Sequence, residues 1–353
     1  MKLRESVAEL TPYSPGKKHP GAVKLSSNEN PLGPSPAAIA AVRDSATKIH
    51  LYPDGSGGAL RAKLASCRGC APEQIVFGNG SDEIMVFCAG AYIEPGDTAV
   101  GADITFSQYR FATTLFGGRY RAVPLIDGVH NLNSMLAAID ETTRLVFVCN
   151  PNNPTGTYRS HDEMATFLSM VPPGVLVVLD EAYAEYADAP DFPRSGELLD
   201  SFSNLIVLRT FSKIYGMAAL RVGYGIGHRD IVADLARVRQ PFNVNGVALA
   251  AAEAALDDDG FVRKSIEFTR TGKRRFGDQL TAEGFAFYRS QANFVCVQTD
   301  VPAEVAYTRV LESGVTVRAL TSFGLPNAIR VTIGEEASLD RVLASLCTLR
   351  ETR

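Results

Sequence analysis

The sequence is short of several features that would assign it to a specialised class. Lysine and arginine are scattered, and a net charge of −4 offers no basic surface to a nucleic-acid backbone. No stretch reaches the roughly 18 apolar residues needed to cross a bilayer, and the first ten residues lack the apolar core of a signal peptide. We therefore expect a cytoplasmic protein that binds neither nucleic acid nor membrane.

Cysteine is also scarce. Six cysteines in 353 residues are too few for a disulfide framework, and most lie in apolar runs, where free cysteine behaves as a small hydrophobe. Cys67 and Cys70 form one C-x-x-C pair, which is a possible zinc or redox motif. No second pair and no histidine pair lies nearby, and the motif falls at the end of an amphipathic helix, so we expect no metal site.

What the sequence does contain is an alternation of short apolar runs and helical patterns from about residue 70. This alternation predicts an α/β fold, in which a mostly parallel sheet is covered by helices. Seven strands are predicted at 75–79, 98–102, 120–125, 145–150, 175–180, 205–210 and 222–227. Several of these runs are apolar throughout, as expected for strands that are buried on both faces.

The domain organisation follows from changes in this pattern. Five prolines in the first 35 residues predict an extended arm at 1–35, which would contribute to the small domain and to dimer contacts. Residues 36–245 are predicted to form the large domain. After Gly246 a long helical stretch reaches about residue 283, and shorter strands at 285–288, 293–298, 315–317 and 329–333 predict a small α+β domain over 246–353. The acidic run at 257–259 is predicted to be a solvated loop.

A glycine turn follows the first predicted strand, in the string FGNGSDE at 77–83. Free N–H groups at the start of the next helix would bind a phosphate there. The string is not a dinucleotide fingerprint, because Glu83 occupies the third glycine position. A simple helix cap at Ser81 or Asp82 explains the same residues equally well.

The string NPNNPTG at 150–156 comes directly after another apolar strand. Prolines restrict the loop, and asparagine amides at the carboxyl end of a strand can reach a ligand in the crevice of the sheet. Ordinary turn chemistry also favours asparagine, proline and glycine.

Asp180 ends the apolar strand at 175–180. A buried carboxylate is costly without a partner, so Asp180 is expected to face a cation or a protonated heterocycle. A structural salt bridge to arginine or lysine is the alternative.

The string LRTFSK at 208–213 delivers Thr210, Ser212 and Lys213 to one place, and Arg221 follows eight residues later. Hydroxyls and a guanidinium suit a phosphate, and a desolvated lysine suits imine chemistry. A lone lysine is otherwise a solvated surface residue.

These four sites, in this order, resemble fold-type-I pyridoxal-phosphate-dependent aminotransferases over nearly the whole chain. Within that family, four further strings resemble the histidinol-phosphate aminotransferases: LTPYSPGK at 10–17, LSSNENPLGP at 25–34, HLYPDG at 50–55 and RQPFNVN at 239–245.

The resemblance implies roles for the residues around the cofactor, pyridoxal 5′-phosphate. Lys213 would carry it as a Schiff base and move a proton, Asp180 would pair with the pyridinium nitrogen, and Phe106 would stack on the ring. Tyr183 and Asn153 would bind the ring oxygen. The phosphate would be held by Gly80, Ser81, Asp82, Thr210, Ser212 and Arg221.

The resemblance also implies a homodimer that binds small-molecule substrates. Tyr52 would reach the phosphate in the partner subunit, and Tyr13 would enter the partner's substrate site. Asn30, Arg318 and Arg330 would bind substrate, with Arg330 acting as a bidentate clamp on a carboxylate or a phosphate.

The expected activity is amino transfer between histidinol phosphate and 2-oxoglutarate, in histidine biosynthesis. Transamination of phenylalanine or tyrosine is the nearest alternative, because relatives with the same cofactor site act on aromatic amino acids. A phospho-amino-acid decarboxylase shares the scaffold. A transcription regulator with this domain is not expected, because an arm of 35 residues leaves no room for a DNA-binding domain.

Overall fold

A computed structural model of the chain describes residues 1–12 and 19–351. The strands of these residues, numbered in chain order, are β1 Val23–Lys24, β2 Ile75–Gly78, β3 Thr98–Ala102, β4 Arg119–Val123, β5 Thr143–Cys149, β6 Leu176–Asp180, β7 Leu205–Thr210, β8 Gly223–Gly227, β9 Phe294–Gln298, β10 Val315–Thr316, β11 Arg318–Ala319 and β12 Ala328–Thr332. The α-helices are α1 Glu5–Ala8, α2 Pro36–Ser45, α3 Gly58–Arg68, α4 Ser81–Tyr92, α5 Gln108–Leu115, α6 Leu132–Ala137, α7 His161–Met170, α8 Ser195–Ser201, α9 Arg229–Val238, α10 Gly246–Ala255, α11 Asp259–Ala282, α12 Ala303–Glu312 and α13 Glu336–Glu351.

Seven strands form the main sheet, in the order β2-β8-β7-β6-β5-β3-β4. All pairs are parallel except those of β8, which runs antiparallel to β2 and to β7. One face packs on α4, α5 and α9, and the other on α6, α7 and α8. Helices on both faces explain why β3 and β6 are buried along their whole length. The predicted α/β fold with a mostly parallel seven-stranded sheet is confirmed.

A second, three-stranded sheet has the order β11-β12-β9 and is antiparallel. It packs with α11, α12 and α13 around a separate apolar core. The arm joins this part of the molecule, because β1 pairs with β10 and Leu25 is buried in the same core. The proposed domain boundaries at 35 and 245 stay a prediction.

Two predictions for this region need correction. The segment at 285–288 is not a full strand. Gly284, just after α11, has a φ of +71°, and Phe287 is the one residue of the segment that forms a β-bridge, with Val297. Strand β11 was not predicted. The acidic run at 257–259 is not wholly a loop: Asp259 is the first residue of α11, and the Asp258 side chain caps this helix by accepting a hydrogen bond from Phe261 N at 3.1 Å.

The described residues include no helix that is both long and apolar enough to span a membrane. They also contain no cluster of three or more side chains suited to a metal ion. Cys67 is exposed in the last turn of α3, Cys70 is half-buried, and both are free thiols.

Candidate active site

A cavity of about 720 Å³ lies between the carboxyl edge of the main sheet and the three-stranded sheet. Asp180 at the end of β6 and Lys213 just after β7 line it from the main sheet. Arg318 and Arg330 line it from β11 and β12. Because neighbouring parallel strands end at the same edge, polar residues that follow them meet in one crevice.

Lys213 lies on the wall of this cavity rather than on the outer surface. Its Nζ donates to the Ser27 carbonyl oxygen at 3.3 Å and lies 5.5 Å from the centre of the Tyr183 ring. Burial, and then the positive charge of Arg330, lower the pKa of Lys213 to about 8. About a tenth of the amine is therefore neutral, and nucleophilic, at pH 7, far more than for an ordinary lysine.

Asp180 is 3% exposed and is held by neutral donors. The Tyr109 hydroxyl donates to Oδ2 at 2.7 Å, and the Ala182 backbone N–H donates to Oδ1 at 3.1 Å. Burial raises the pKa of Asp180 to about 6. No ion pair within 4 Å of this carboxylate occurs among residues 1–12 and 19–351, so the structural salt bridge is not formed there.

The backbone N–H groups at the start of α4 lie together at one end of the cavity. Gly80 precedes the helix with a φ of +82°, which a side chain would strain, and a Cβ there would overlap the Arg221 guanidinium. A Cβ on Gly223 of β8 would overlap the Ser81 nitrogen. These two glycines let the helix start, the sheet and Arg221 approach one another closely enough to surround an anion.

Side chains add hydroxyl and cationic groups to these backbone N–H groups. Arg221 Nη1 donates to Ser212 Oγ at 3.4 Å, and Nη2 lies 3.3 Å from Asp82 Oδ2. The Thr210 hydroxyl accepts a hydrogen bond from Ser212 N at 3.0 Å. Arg221 has a left-handed φ of 56°, a conformation that persists only where the surroundings fix it and that is common at functional sites. The cavity itself is lined by Ser81, Asp82, Thr210, Ser212 and Arg221, but not by Gly80 or Gly223.

The two arginines of the opposite wall face the same way. Arg318 and Arg330 are direct partners across the antiparallel pair β11–β12, so their side chains lie on one face. Arg330 is 6% exposed, and it donates from Nη1 to Asn153 Oδ1 and from Nη2 to the Ser26 carbonyl at 3.0 Å. Arg318 is half-buried, 6.0 Å from the centre of the Phe323 ring.

Asn28, a neighbour of Tyr183, lines the cavity and was not predicted from the sequence. Asn28 Nδ2 donates to the Tyr183 hydroxyl at 2.9 Å, and Asn28 lines the cavity with a φ of +56°. The prediction named Asn30, two residues later in the same string, which does not line the cavity; its role in substrate binding stays a prediction. Asn30 Nδ2 donates to the Ile214 carbonyl at 2.8 Å and to Ser265 Oγ at 3.0 Å, so its amide is committed to packing outside the cavity. The positive φ that singles out Asn28 is not visible in the sequence.

The three remaining predicted residues, Phe106, Tyr52 and Tyr13, differ in where they lie relative to the cavity. Phe106 lines the cavity, and its ring meets the Tyr109 ring edge to face at 5.8 Å. Tyr52 is 84% exposed and stacks on Phe242 at 4.9 Å, away from the cavity of its own chain. Tyr13 lies outside the described residues, although Thr11 and Pro12 line this chain's cavity.

The groups that surround the cavity match the parts of pyridoxal phosphate. A carboxylate without a cationic partner among the described residues suits a pyridinium nitrogen, and a partly neutral lysine suits an aldehyde. The helix start with its hydroxyls and Arg221 suits a phosphate. The residues present therefore fit this cofactor.

Comparison with known proteins agrees with this fit. Residues 20–346 match the model of the family described as aminotransferase class I and II. The chain belongs to the class I and II aminotransferases. The prediction of a pyridoxal-phosphate-dependent aminotransferase is confirmed.

Individual relatives are similar along almost the whole chain. A histidinol-phosphate aminotransferase of Geobacillus sp. (strain WCH70) is 42% identical, with 98% of this chain and 97% of the relative covered. That of Bacillus subtilis (strain 168) is 42% identical, with 99% and 100% covered. The crystal structure of histidinol-phosphate aminotransferase from Sinorhizobium meliloti in complex with pyridoxal-5′-phosphate has a TM-score of 0.91 and 28% identity, covering 99% of this chain and 98% of that one.

Proposed function

We propose that this chain transfers an amino group between histidinol phosphate and 2-oxoglutarate, as a transaminase of histidine biosynthesis. The observation that carries the proposal is the pair Arg318 and Arg330, which face one cavity from neighbouring strands. Histidinol phosphate has its anion where an amino acid has a carboxylate, so one arginine pair can serve both half-reactions. The names of the relatives at 42% identity support the same substrate.

Pyridoxal phosphate, when bound, supplies an aldehyde that exchanges amino groups and a ring that withdraws electrons from the substrate Cα. Lys213 would hold the aldehyde, and its amine would act as the base and acid that moves a proton at the substrate Cα. Its lowered pKa of about 8 suits both directions of proton transfer. Asp180 supplies the negative charge that keeps the ring nitrogen protonated.

The other residues on this wall bind and orient. Ser81 and Asp82 offer backbone N–H groups to the cofactor phosphate, together with Thr210, Ser212 and Arg221. The Asp82 carboxylate pairs with Arg221 at 3.3 Å, which leaves its backbone N–H for the anion. Tyr183, Asn153 and Phe106 line the cavity, which supports contacts of Tyr183 and Asn153 with the ring oxygen and of Phe106 with one ring face.

Substrate recognition falls to the arginine wall. Arg330 is buried and oriented by Asn153 and by the Ser26 carbonyl, so its planar fork is held ready for bidentate contact with a carboxylate or phosphate. Arg318 adds a second positive charge beside it. Two guanidiniums favour a dianionic phosphate over a monoanionic carboxylate.

We also infer that the active unit is a homodimer. Large apolar side chains are exposed in one segment, with Ile49 at 73%, Leu51 at 62% and Tyr52 at 84%. Phe242, stacked on Tyr52, is 47% exposed. A second copy would cover this patch and would bring Tyr52, and Tyr13 of the arm, to the neighbouring cavity. Six free thiols accord with the reducing conditions of the cytoplasm, where we place the enzyme.

A substrate panel tests the proposed activity. Histidinol phosphate, phenylalanine and tyrosine are compared as amino donors to 2-oxoglutarate by kcat/KM, with glutamate formation as the readout. We expect histidinol phosphate to be preferred by more than the roughly 10–200-fold that an apolar pocket alone provides. Equal or greater efficiency with phenylalanine would assign the enzyme to aromatic amino acids. Release of carbon dioxide without an oxo acid would assign it to decarboxylation.

A further inference from the structure

Tyr109 of α5 lies beneath the cavity and is completely buried. Its ring stacks on Phe147, with 4.9 Å between centroids and 13° between planes, and Phe106 meets it edge to face. These contacts fix the phenol in one orientation, in which the hydroxyl donates to Asp180 Oδ2 at 2.7 Å. A phenylalanine would fill the same space without a buried hydroxyl to satisfy, so packing alone does not account for a tyrosine here.

The hydroxyl acts on the charge of Asp180. Burial favours the neutral acid, whereas the hydrogen bonds donated by Tyr109 and by the Ala182 N–H favour the carboxylate. Tyr109 itself stays neutral, because burial and the adjacent carboxylate raise its pKa. It is therefore a donor to Asp180 at every physiological pH.

The other titratable groups that face Asp180 do not replace this donor. Lys213, after β7, favours the charged carboxylate, but Asp82 on α4 opposes it. Cys149 on β5 stays neutral, because burial raises its pKa. The Tyr109 hydroxyl is the one side-chain hydrogen bond to Asp180 among residues 1–12 and 19–351.

We propose that Tyr109 is a positioning residue of the reaction, whose hydroxyl keeps the Asp180 carboxylate charged and in one orientation for the pyridinium nitrogen. The inference rests on the role proposed above for Asp180. Tyr109 itself touches neither substrate nor reacting atoms, and it acts through that carboxylate.

The test compares two cofactors on the apo-protein. One is pyridoxal phosphate, and the other is its 1-deaza analogue, which has a C–H group in place of the ring nitrogen. Because a hydrogen bond to a charged group is involved, Tyr109→Phe should weaken pyridoxal phosphate binding about 10–100-fold, with less than about threefold change for the analogue. Dissociation constants are measured by titration.

Tyr120→Phe is the matched control, because it also removes a hydroxyl, one that donates to the Ala102 carbonyl at 2.9 Å. It should leave the ratio of the two affinities unchanged. If Tyr109→Phe weakens the affinity for both cofactors equally, the role of Tyr109 is purely structural and the inference is overturned. If the affinity for neither cofactor changes, the inference is overturned as well. If Tyr109→Phe does not fold, 3-fluorotyrosine is introduced at position 109 instead. Because its hydroxyl is a stronger donor, the preference for pyridoxal phosphate over the analogue should rise. An unchanged or lower preference overturns the inference.

Asp180→Asn separates failure of the inference from failure of the proposed function. This variant should lose the preference for pyridoxal phosphate over the analogue. If it does so while Tyr109→Phe retains the preference, Tyr109 is not a positioning residue and the role of Asp180 stands. If Asp180→Asn itself retains the preference, the role proposed for Asp180 fails, and the inference with it.

Discussion

The two walls of the active-site cavity are built in different ways. The wall on the main sheet takes Asp180 and Lys213 from the ends of the adjacent strands β6 and β7, which are neighbours in the chain as well as in space. The opposite wall joins partners far apart in the chain: Arg330 donates to the Ser26 carbonyl, 304 residues away, and to Asn153, 177 residues away. In the function proposed above, the first wall carries the chemistry and the second wall selects the substrate.

The walls also differ in how they hold charge. Asp180 is buried among neutral donors, which leaves its charge for the cofactor. Arg330 is also buried, and it donates to an amide oxygen and to a backbone carbonyl while lining the cavity. Substitutions on the main-sheet wall should therefore lower turnover for every substrate, whereas substitutions on the arginine wall should change which substrate is used.

The largest expected effect is that of Lys213→Ala. Loss of proton transfer alone should lower kcat about 10²–10⁴-fold for all donors, because Lys213 is the one lysine that lines the cavity among residues 1–12 and 19–351. The melting temperature should be nearly unchanged, since the side chain lies on a cavity wall. Lys273→Ala is the control: that lysine is also partly buried and donates to the Ala292 carbonyl at 3.3 Å, but it lies outside the cavity lining. Near-normal turnover in Lys213→Ala would refute the assignment.

Asp180→Asn should follow, with kcat lowered about 10²–10³-fold for every donor because a preorganised charge is lost. Glu181→Gln is the contrasting variant. Glu181 is the next residue and is fully buried, but it pairs with Arg209 and Ser195 outside the cavity. Its substitution should lower the free energy of unfolding by about 1–3 kcal/mol and leave turnover per folded molecule unchanged. The free energy of unfolding in urea and kcat are measured on the same preparations. If Asp180→Asn and Glu181→Gln change both quantities alike, the distinction between a cavity residue and a structural residue is contradicted.

Arg330→Lys should lower kcat/KM about 10–100-fold in both half-reactions, because a point charge replaces a bidentate fork whose hydrogen bonds are charge-assisted. Arg309→Lys, at a surface arginine that pairs with Glu312, serves as the control and should have no effect. Loss confined to the half-reaction of histidinol phosphate would show that Arg330 does not bind the oxo acid.

The smallest effect is a pH dependence that isolates Lys213. Since the pKa of Lys213 is lowered to about 8, the neutral amine increases as pH rises towards 8 and is nearly complete above it. The rate at which apo-protein captures pyridoxal phosphate should therefore rise about tenfold per pH unit up to 7 and level off above 8. Stopped-flow absorbance follows the capture. A rate that keeps rising to pH 10 would indicate an unshifted lysine.

The same contrast between the walls explains how much could be predicted from sequence. The seven strands of the main sheet were located within two residues at each end, because apolar runs buried on both faces are visible locally. The positions of Asp180, Thr210, Ser212 and Lys213 at one edge of the sheet could be predicted for the same reason, since Asp180 and Thr210 end strands and the other two come shortly after β7.

Features that depend on contacts between distant parts of the chain could not be predicted from local patterns. Asn28 and Asn30 stand in one string and differ in backbone conformation and long-range partners, so the sequence does not show that Asn28 is the one that lines the cavity. Tyr109 was missed because its significance comes from Asp180, 71 residues later. Strand β11 has two residues, too few for any periodic pattern.

The division between the walls is tested most directly by one ratio, the kcat/KM for histidinol phosphate divided by that for phenylalanine, in the parent enzyme and in Arg318→Ala. Arg318 adds the second positive charge that a dianion needs, so the variant should lose about tenfold or more with histidinol phosphate. With phenylalanine it should change little. The ratio should therefore fall by about tenfold, while Arg309→Ala leaves it unchanged. An Arg318→Ala enzyme that loses both activities equally, with the ratio intact, would contradict the claim that the arginine wall selects the phosphate.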